Sequence, residues 1–222
     1  GVRVRYSWET PVLGSAGGPA RALPLLARAG EPNPVFLIVN GDTLTDVDVA
    51  ALVRDHERHG ALVTMAAVPN IEPQKYGGIL ATDDGVVTGF VGRGSAQPSF
   101  HFIGVQVANG LAFARVPSGT PYESVGALYP ALIAERRGAV RVFTTMAEFL
   151  DIGTPADYLE TALLVAAGEG GGASSDRIHL EGGAVVERCV LWDDVVVGPG
   201  PTLHECVFAD GTRVPSDTSW RG

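Results

Sequence analysis

Apolar residues recur along the chain in three rhythms, and each predicts a different element. Val2, Val4 and Tyr6 alternate with Arg3, Arg5 and Ser7, the period of two that marks a half-buried strand. Residues 19–29 carry Ala22, Leu23, Leu25 and Leu26 and close near Gly30, which predicts a helix packed on a sheet. Val35–Val39 is apolar throughout and reads as a central strand covered on both faces. Thr45 or Asp46 then caps a helix whose Val49, Leu52, Val53 and His56 share one face and which stops at Gly60. Strands are expected at 61–68, 76–81, 86–91 and 100–107, with Asp83-Asp84-Gly85 as a hairpin turn. A helix over 122–137 should kink near Pro130 and end at Gly138.

The slowest rhythm lies in the last fifth of the chain. Thr154-Pro155-Ala156-Asp157 has the cap, first-turn proline and third-position acid of a helix start. That helix passes Leu163 and Leu164 and dissolves into Gly168-Glu169-Gly170-Gly171-Gly172-Ala173-Ser174-Ser175, a flexible linker. Beyond it Val185, Leu191, Val197, Leu203 and Ala209 are six apart, with Cys189, Val195, Pro201 and Val207 in a second series. Six-residue periodicity is the mark of a β-helix. The expected division is an α/β domain over 1–165, a linker over 166–177 and a hexapeptide-repeat domain over 178–222. A coil this short leaves apolar ends that a second copy can cover, which predicts a homo-oligomer.

Composition narrows the partners. The 222 residues, 45% apolar and 18% charged, suffice for one sizeable core and a small appendage. A net charge of -9, with Lys75 as the only lysine, argues against a nucleic-acid backbone. A small phosphorylated substrate needs only a few cations and remains open. No apolar run approaches a membrane span, and the start lacks signal-peptide organisation, so a cytoplasmic protein is expected. Cys189 and Cys206, with no histidine at ligand spacing, are expected to be free thiols.

Two carboxylates stand out. Phe36-Leu37-Ile38-Val39-Asn40-Gly41-Asp42 ends in an aspartate just past a strand, the edge where α/β sheets hold ligands. Asp151 in Phe149-Leu150-Asp151-Ile152-Gly153-Thr154-Pro155 immediately precedes a helix start, where anions and their counter-ions are favoured. Each also reads as a simple turn or cap residue. Two isolated aspartates suit a hard divalent cation that takes its other ligands from a substrate's phosphates.

Together with Leu13-Gly14-Ser15-Ala16-Gly17-Gly18, Tyr76-Gly77-Gly78 and Phe102-Ile103-Gly104, in this order, these motifs resemble the sugar-phosphate nucleotidyltransferase family. The resemblance implies a Rossmann-like α/β domain followed by a short left-handed β-helix. It implies formation of a nucleoside-diphosphate sugar and pyrophosphate from a nucleoside triphosphate and a sugar 1-phosphate. Asp42 and Asp151 would hold Mg2+ as the catalytic pair, Gly14 and Gly17 would approach the nucleotide, and Gly77 would contact the sugar. For Gly14 and Gly17 a tight strand-to-helix connection is the alternative, and for Gly77 a strand bulge. The turn and tail are most similar to the branch that guanylylates mannose 1-phosphate. A uridylyl- or thymidylyltransferase of the N-acetylmuramate 1-phosphate type, or a regulatory paralogue that binds nucleotide sugar without catalysis, are the alternatives. His204 alone offers an acyltransferase reading, which the short coil disfavours.

Two departures accompany the resemblance. Where the family shows Glu-Lys-Pro after a phenylalanine, this chain has Phe90-Val91-Gly92-Arg93-Gly94. The sugar-contacting acid is absent there, and Arg93 stands in for the phosphate-binding lysine through its paired donors. The family's first strand and Gly-x-Gly-Thr-Arg loop are also absent, so the amino-terminal part of the domain is expected to be missing from these residues, leaving a fragment inactive by itself.

Overall fold

In the computed structural model, which describes residues 1, 3–27, 33–168, 176–216 and 218–222, the longest strand carries most of the sheet. The elements are α1 (Gly14–Leu26), β1 (Val35–Val39), β2 (Thr43–Thr45), α2 (Val49–His59), β3 (Val63–Pro69), β4 (Gly78–Ala81), β5 (Val87–Val91), β6 (Phe100–Asn109), α3 (Tyr129–Glu135), β7 (Val140–Thr144), β8 (Phe149–Asp151) and α4 (Pro155–Gly168). One mixed sheet runs β5-β4-β6-β3-β7, and β1 joins β6 as well. The ten-residue β6 meets β4 at Phe100 and β1 from Val105 to Asn109. β3 is antiparallel to β6 and parallel to β7.

Both faces of β3 are covered, which explains its unbroken apolar run. Val63, Met65 and Ala67 pack with Leu128, Tyr129 and Leu132 beside α3. Ala66 packs on the other face with Leu52 of α2, Ile103 and Val105. The α3 layer holds one buried polar bridge, Tyr129 Oη donating to Gln106 Oε1 at 2.7 Å, and burial pushes the phenol up to about 12. The α2 layer holds another, His56 Nδ1 at 2.9 Å from Thr64 Oγ1.

Desolvation holds His56 below its ordinary value of 6.5. The unfolded chain therefore binds this proton more readily than the native one, so stability is complete above that value and is lost as pH falls below it. We expect the urea midpoint to drop between about pH 7 and about pH 5, and to drop less in His56→Gln, where nothing titrates at that position. Equal slopes would contradict this account of the α2 layer.

Several elements differ from the pattern, each for a physical reason. No strand forms over residues 3–9, and Val4, Tyr6 and Trp8 are exposed, because alternation makes a strand only where an edge is there to pair with. α1 starts at Gly14, five residues before the expected Pro19, since the amides of Ala16 and Gly17 both donate to Tyr122 O at 2.9 and 3.1 Å. It ends at Leu26, where Ala27 turns extended while its amide still donates to Leu23 O, ahead of the expected end near Gly30. β1 is not a central strand: among the described residues it pairs only with β6, and Val39 stays 55% exposed. The α2 cap is Asp48, which accepts from Ala51 N at 2.8 Å, rather than Thr45 or Asp46. Gly60 ends α2 in the left-handed conformation, as the pattern predicts. Ahead of Pro130 the chain widens into one turn in which Leu128 N donates to Glu123 O.

The chain divides into two units, Gly1–Gly41 with Thr45–Phe149, and Asp42–Leu44 with Leu150–Gly222. In the second, Thr154 Oγ1 accepts from Asp157 N at 3.1 Å and caps α4, which continues to Gly168. The expected linker falls largely on 169–175, outside the described residues. Beyond it lie β9 (His179–Leu180), β10 (Val185–Glu187), β11 (Val190–Leu191), β12 (Val196–Val197), β13 (Thr202–His204), β14 (Val207–Phe208), β15 (Arg213–Val214) and β16 (Ser219–Arg221). They stack in parallel as β10-β13-β16, β11-β14 and β15-β12-β9.

The coil does not advance by whole hexapeptides. Val185 lies beside Thr202, Val190 beside Val207 and Val196 beside Arg213, a step of 17 residues each time. One side of each turn is thus a residue shorter than the other two. Val186, rather than the expected Val185, stacks on Leu203, while Val185 is 45% exposed. Phe208 replaces the expected Ala209 in the core. The corners repeat at the same step, with positive φ at Arg188 and Glu205, at Asp194 and Gly211, and at Gly183 and Gly200. Cys189 and Cys206 are free thiols one coil apart, and Cys206 N donates to Cys189 Sγ at 3.3 Å. No helix among the described residues is long and apolar enough to cross a membrane.

Candidate functional site

β1 delivers the first carboxylate. Its pairing with β6 is prolonged past Val39 by Asn40 N, which donates to Gly104 O at 2.8 Å, and the chain then turns out through Gly41 to an exposed Asp42. Asp42 O accepts from Ile152 N at 3.0 Å, so the segment carrying the first aspartate is tied to the residue after the second. β2 and β8 pair beside this bond.

Asp151 is held from two sides. Its Oδ1 accepts from Gly153 N at 3.1 Å, and its backbone oxygen accepts from the buried Thr161 Oγ1 of α4 at 2.9 Å. α4 is held in turn by the coil, since Trp192 Nε1 donates to Tyr158 Oη at 2.9 Å. The pair is therefore built into one unit with α4 and the coil. Among the described residues no cluster of three or more His, Cys, Asp or Glu side chains is arranged to hold a metal. A donor set of two carboxylates fits a cation such as Mg2+, which keeps waters or phosphate oxygens in its remaining positions.

The glycine loop belongs to the first unit and is the opening turn of α1. Gly14 has φ +75°, and a Cβ there would lie 2.5 Å from Glu123 Oε1. A Cβ on Gly17 would lie 2.8 Å from Leu13 Cβ and 3.2 Å from Thr120 O. Ser15 Oγ donates to Glu123 Oε2 at 2.7 Å and accepts from Ser124 N at 2.9 Å. The chain's own Tyr122 carbonyl and Glu123 carboxylate thus face this helix start, which gives both glycines a packing role. Gly14→Ala should cost about 1–3 kcal/mol through its left-handed backbone and the displaced Glu123. An unchanged denaturation midpoint would remove that role.

Gly77 and Arg93 each lie just outside the paired part of the β4–β5 hairpin, at its open end, also in the first unit. Gly78 pairs with Val91, and a Cβ on Gly77 would lie 3.1 Å from Val91 O. Arg93 is exposed in the turn that follows β5. Gly94 N then donates to Pro73 O at 2.7 Å, joining that turn to the one ahead of Gly77.

Sequence reasoning missed the aromatic cluster beside this turn. Tyr76 stacks on His101 with ring centroids 4.0 Å apart, and Phe149 closes on them at 5.9 and 4.8 Å. With Asn70, Glu72 and Met146 they line a cavity of about 270 Å³. Three residues so far apart in the chain give no local signal; Tyr76 and Phe149 belong to separate motifs and His101 to none.

Residues 1–168 match the profile of the nucleotidyl transferase family. The chain is 26% identical to the mannose-1-phosphate guanylyltransferase of Mycobacterium tuberculosis, with 96% of this chain and 62% of that protein covered. It is 29% identical to the catalytic subunit beta of mannose-1-phosphate guanylyltransferase of Drosophila pseudoobscura pseudoobscura, over 72% of this chain and 42% of that one. The UTP--glucose-1-phosphate uridylyltransferase of Synechocystis is 25% identical, over 96% and 63%. Among solved structures, HddC from Yersinia pseudotuberculosis superposes with a TM-score of 0.55 at 21% identity, covering 67% of this chain and 60% of that one. HddC has also been solved in complex with GMP-PN, and that structure superposes with a TM-score of 0.54. At this identity the likeness establishes the fold, a mixed α/β nucleotidyltransferase domain. The chain spans about 62% of the length of such relatives as the mycobacterial enzyme.

Proposed function

This chain belongs to the nucleotidyl transferase family, and on that footing we propose that the protein joins a nucleoside triphosphate to a sugar 1-phosphate, releasing pyrophosphate. The observation that carries the reading is the backbone bond between Asp42 and the residue after Asp151, which holds two carboxylates on adjoining segments in a chain of this family. In the reaction an oxygen of the sugar 1-phosphate attacks the α-phosphorus of the triphosphate and the pyrophosphate leaves from the opposite side. Such transfers depend on in-line positioning and charge neutralisation rather than on a protein nucleophile. Asp42 and Asp151 are the proposed ligands of Mg2+, which when bound supplies the positive charge that offsets the crowded phosphate oxygens. Gly153 N and Thr161 Oγ1 hold Asp151 in place for that role. Gly14 and Gly17 are proposed to face the nucleotide, and Gly77 and Arg93 the sugar 1-phosphate.

Mannose 1-phosphate and GTP are the proposed substrates, as the names of the relatives suggest. The coil, taken as left-handed, is proposed to mediate self-association: Leu180 and Trp220, in its first and last strands, are 52% and 53% exposed. Cytoplasmic residence is part of the same proposal, and the proposed substrates are water-soluble phosphates. Pyrophosphate release by full-length protein, screened over four nucleoside triphosphates and a panel of hexose 1-phosphates, tests the activity. The expected result is greatest turnover with GTP and mannose 1-phosphate. Faster release with UTP and glucose 1-phosphate would replace the proposed substrates, and none with any pair would overturn the activity.

A further inference from the structure

The cavity beside Tyr76 has a chemistry that points to one kind of ligand. Its aromatic members, Tyr76, His101 and Phe149, offer the flat apolar surface against which the C–H face of a pyranose packs. Two acceptors accompany them: Glu72 lines the same cavity, and Asn70 Oδ1 is buried with no hydrogen-bond partner among the described residues. Acceptors beside an aromatic wall suit the hydroxyls of a sugar.

A cation stands at the same wall. Lys75 is the only lysine of the chain, and its Nζ lies 5.0 Å from the centre of the Tyr76 ring. Glu72 and Lys75 belong to a single tight turn, in which Lys75 N and Tyr76 N both donate to Glu72 O at 2.9 and 3.0 Å. The bond from Gly94 N to Pro73 O, 2.7 Å, clamps this turn to the one bearing Arg93. Two positive side chains thus come from two turns joined by a backbone bond, and Glu72 of the first of these turns lines the cavity.

We propose that Glu72 and Lys75 are substrate-binding residues for the sugar 1-phosphate, Glu72 accepting from a ring hydroxyl and Lys75 pairing with the phosphate alongside Arg93. The inference rests on the nucleotidyltransferase reading and adds to it the turn that recognises the sugar partner. A phosphate dianion shared by Lys75 and Arg93 gains charge-assisted hydrogen bonds from both, while the aromatic wall and Glu72 select for the ring.

Titration calorimetry of mannose 1-phosphate and of GTP on full-length protein, with Lys75→Gln, Lys75→Arg and Glu72→Gln, tests this. Lys75→Gln should weaken mannose 1-phosphate about tenfold, the loss of one charge-assisted bond, and leave GTP unchanged, with Lys75→Arg recovering most of the loss. Glu72→Gln should weaken mannose 1-phosphate by several-fold, again without effect on GTP. A merely structural role for the turn would not give the rescue by arginine. Unchanged mannose 1-phosphate affinity in Lys75→Gln, or an equal loss for GTP, would overturn the inference. Pyrophosphate release on the same samples separates the two readings: wild-type turnover with an unaltered KM for the sugar 1-phosphate in Lys75→Gln overturns the role of Lys75 while the family activity stands. Absent turnover in the wild type overturns the activity, and the binding titration still tests the turn.

Discussion

Asp42→Asn and Asp151→Asn should each lower turnover of the full-length protein by on the order of a hundredfold or more, with the fold intact. Each exchange removes a negative charge from a proposed cation ligand at almost constant shape. Asp42 is exposed, so its replacement should change stability by no more than about 0.5 kcal/mol. At Asp151 the Oδ1 that accepts from Gly153 N is retained in the asparagine. The effect is therefore expected in kcat rather than in the unfolding midpoint. Pyrophosphate release at saturating Mg2+, run beside denaturant unfolding, measures both. Near-normal rates in the two variants would remove the aspartate pair from the chemistry, and lost rates with lost stability would assign the residues a structural role instead.

The second large effect is expected far from the aspartates in sequence. Leu203 is wholly buried in the coil among Val195, Val197, Cys206, Phe208 and Val214, and it stacks on Val186 below and Trp220 above. An unpaired carboxylate has no partner there, so Leu203→Asp should destabilise the coil by about 4 kcal/mol or more. Leu203→Ala, which leaves only a cavity, should cost about 2–5 kcal/mol. Because the coil holds α4 through Trp192 and Tyr158, and α4 holds Asp151 through Thr161, turnover should fall with the coil's structure. Amide hydrogen exchange over residues 179–221 reports the first consequence and the pyrophosphate assay the second. Undiminished protection in Leu203→Asp would contradict the packing, and full activity in a protein whose coil has lost protection would detach the coil from the site.

What the chain declares locally is what sequence reasoning reads well. Gly85 at φ +82° in the hairpin, Gly60 after α2 and Thr154 before α4 are each dictated by neighbours a few residues away. β1 is different. Its five apolar residues look central, but whether a strand is covered depends on what lies beside it, and that is set by β6 and by the absence of a second neighbour among the described residues. The coil shows an intermediate case: a repeat was visible, yet the shortened side that moves Val186 and Phe208 into the core hides within a run of valines where neighbouring positions look alike. At the site, Asp42 and Asp151 were legible as carboxylates at element ends, whereas the bond joining their segments spans more than a hundred residues. The wall of Tyr76, His101 and Phe149 was illegible because no two of its members share a motif.

The most direct test of the central claim follows the phosphorus. Full-length protein incubated with mannose 1-phosphate, Mg2+ and GTP labelled at the α-phosphorus should transfer the label into a phosphatase-resistant nucleotide sugar, with one unlabelled pyrophosphate formed for each label moved. Transfer should cease when either mannose 1-phosphate or the cation is withheld. Label appearing in GMP or GDP at the same rate with and without a sugar 1-phosphate, or no transfer with any pairing of triphosphate and sugar 1-phosphate, would contradict the account.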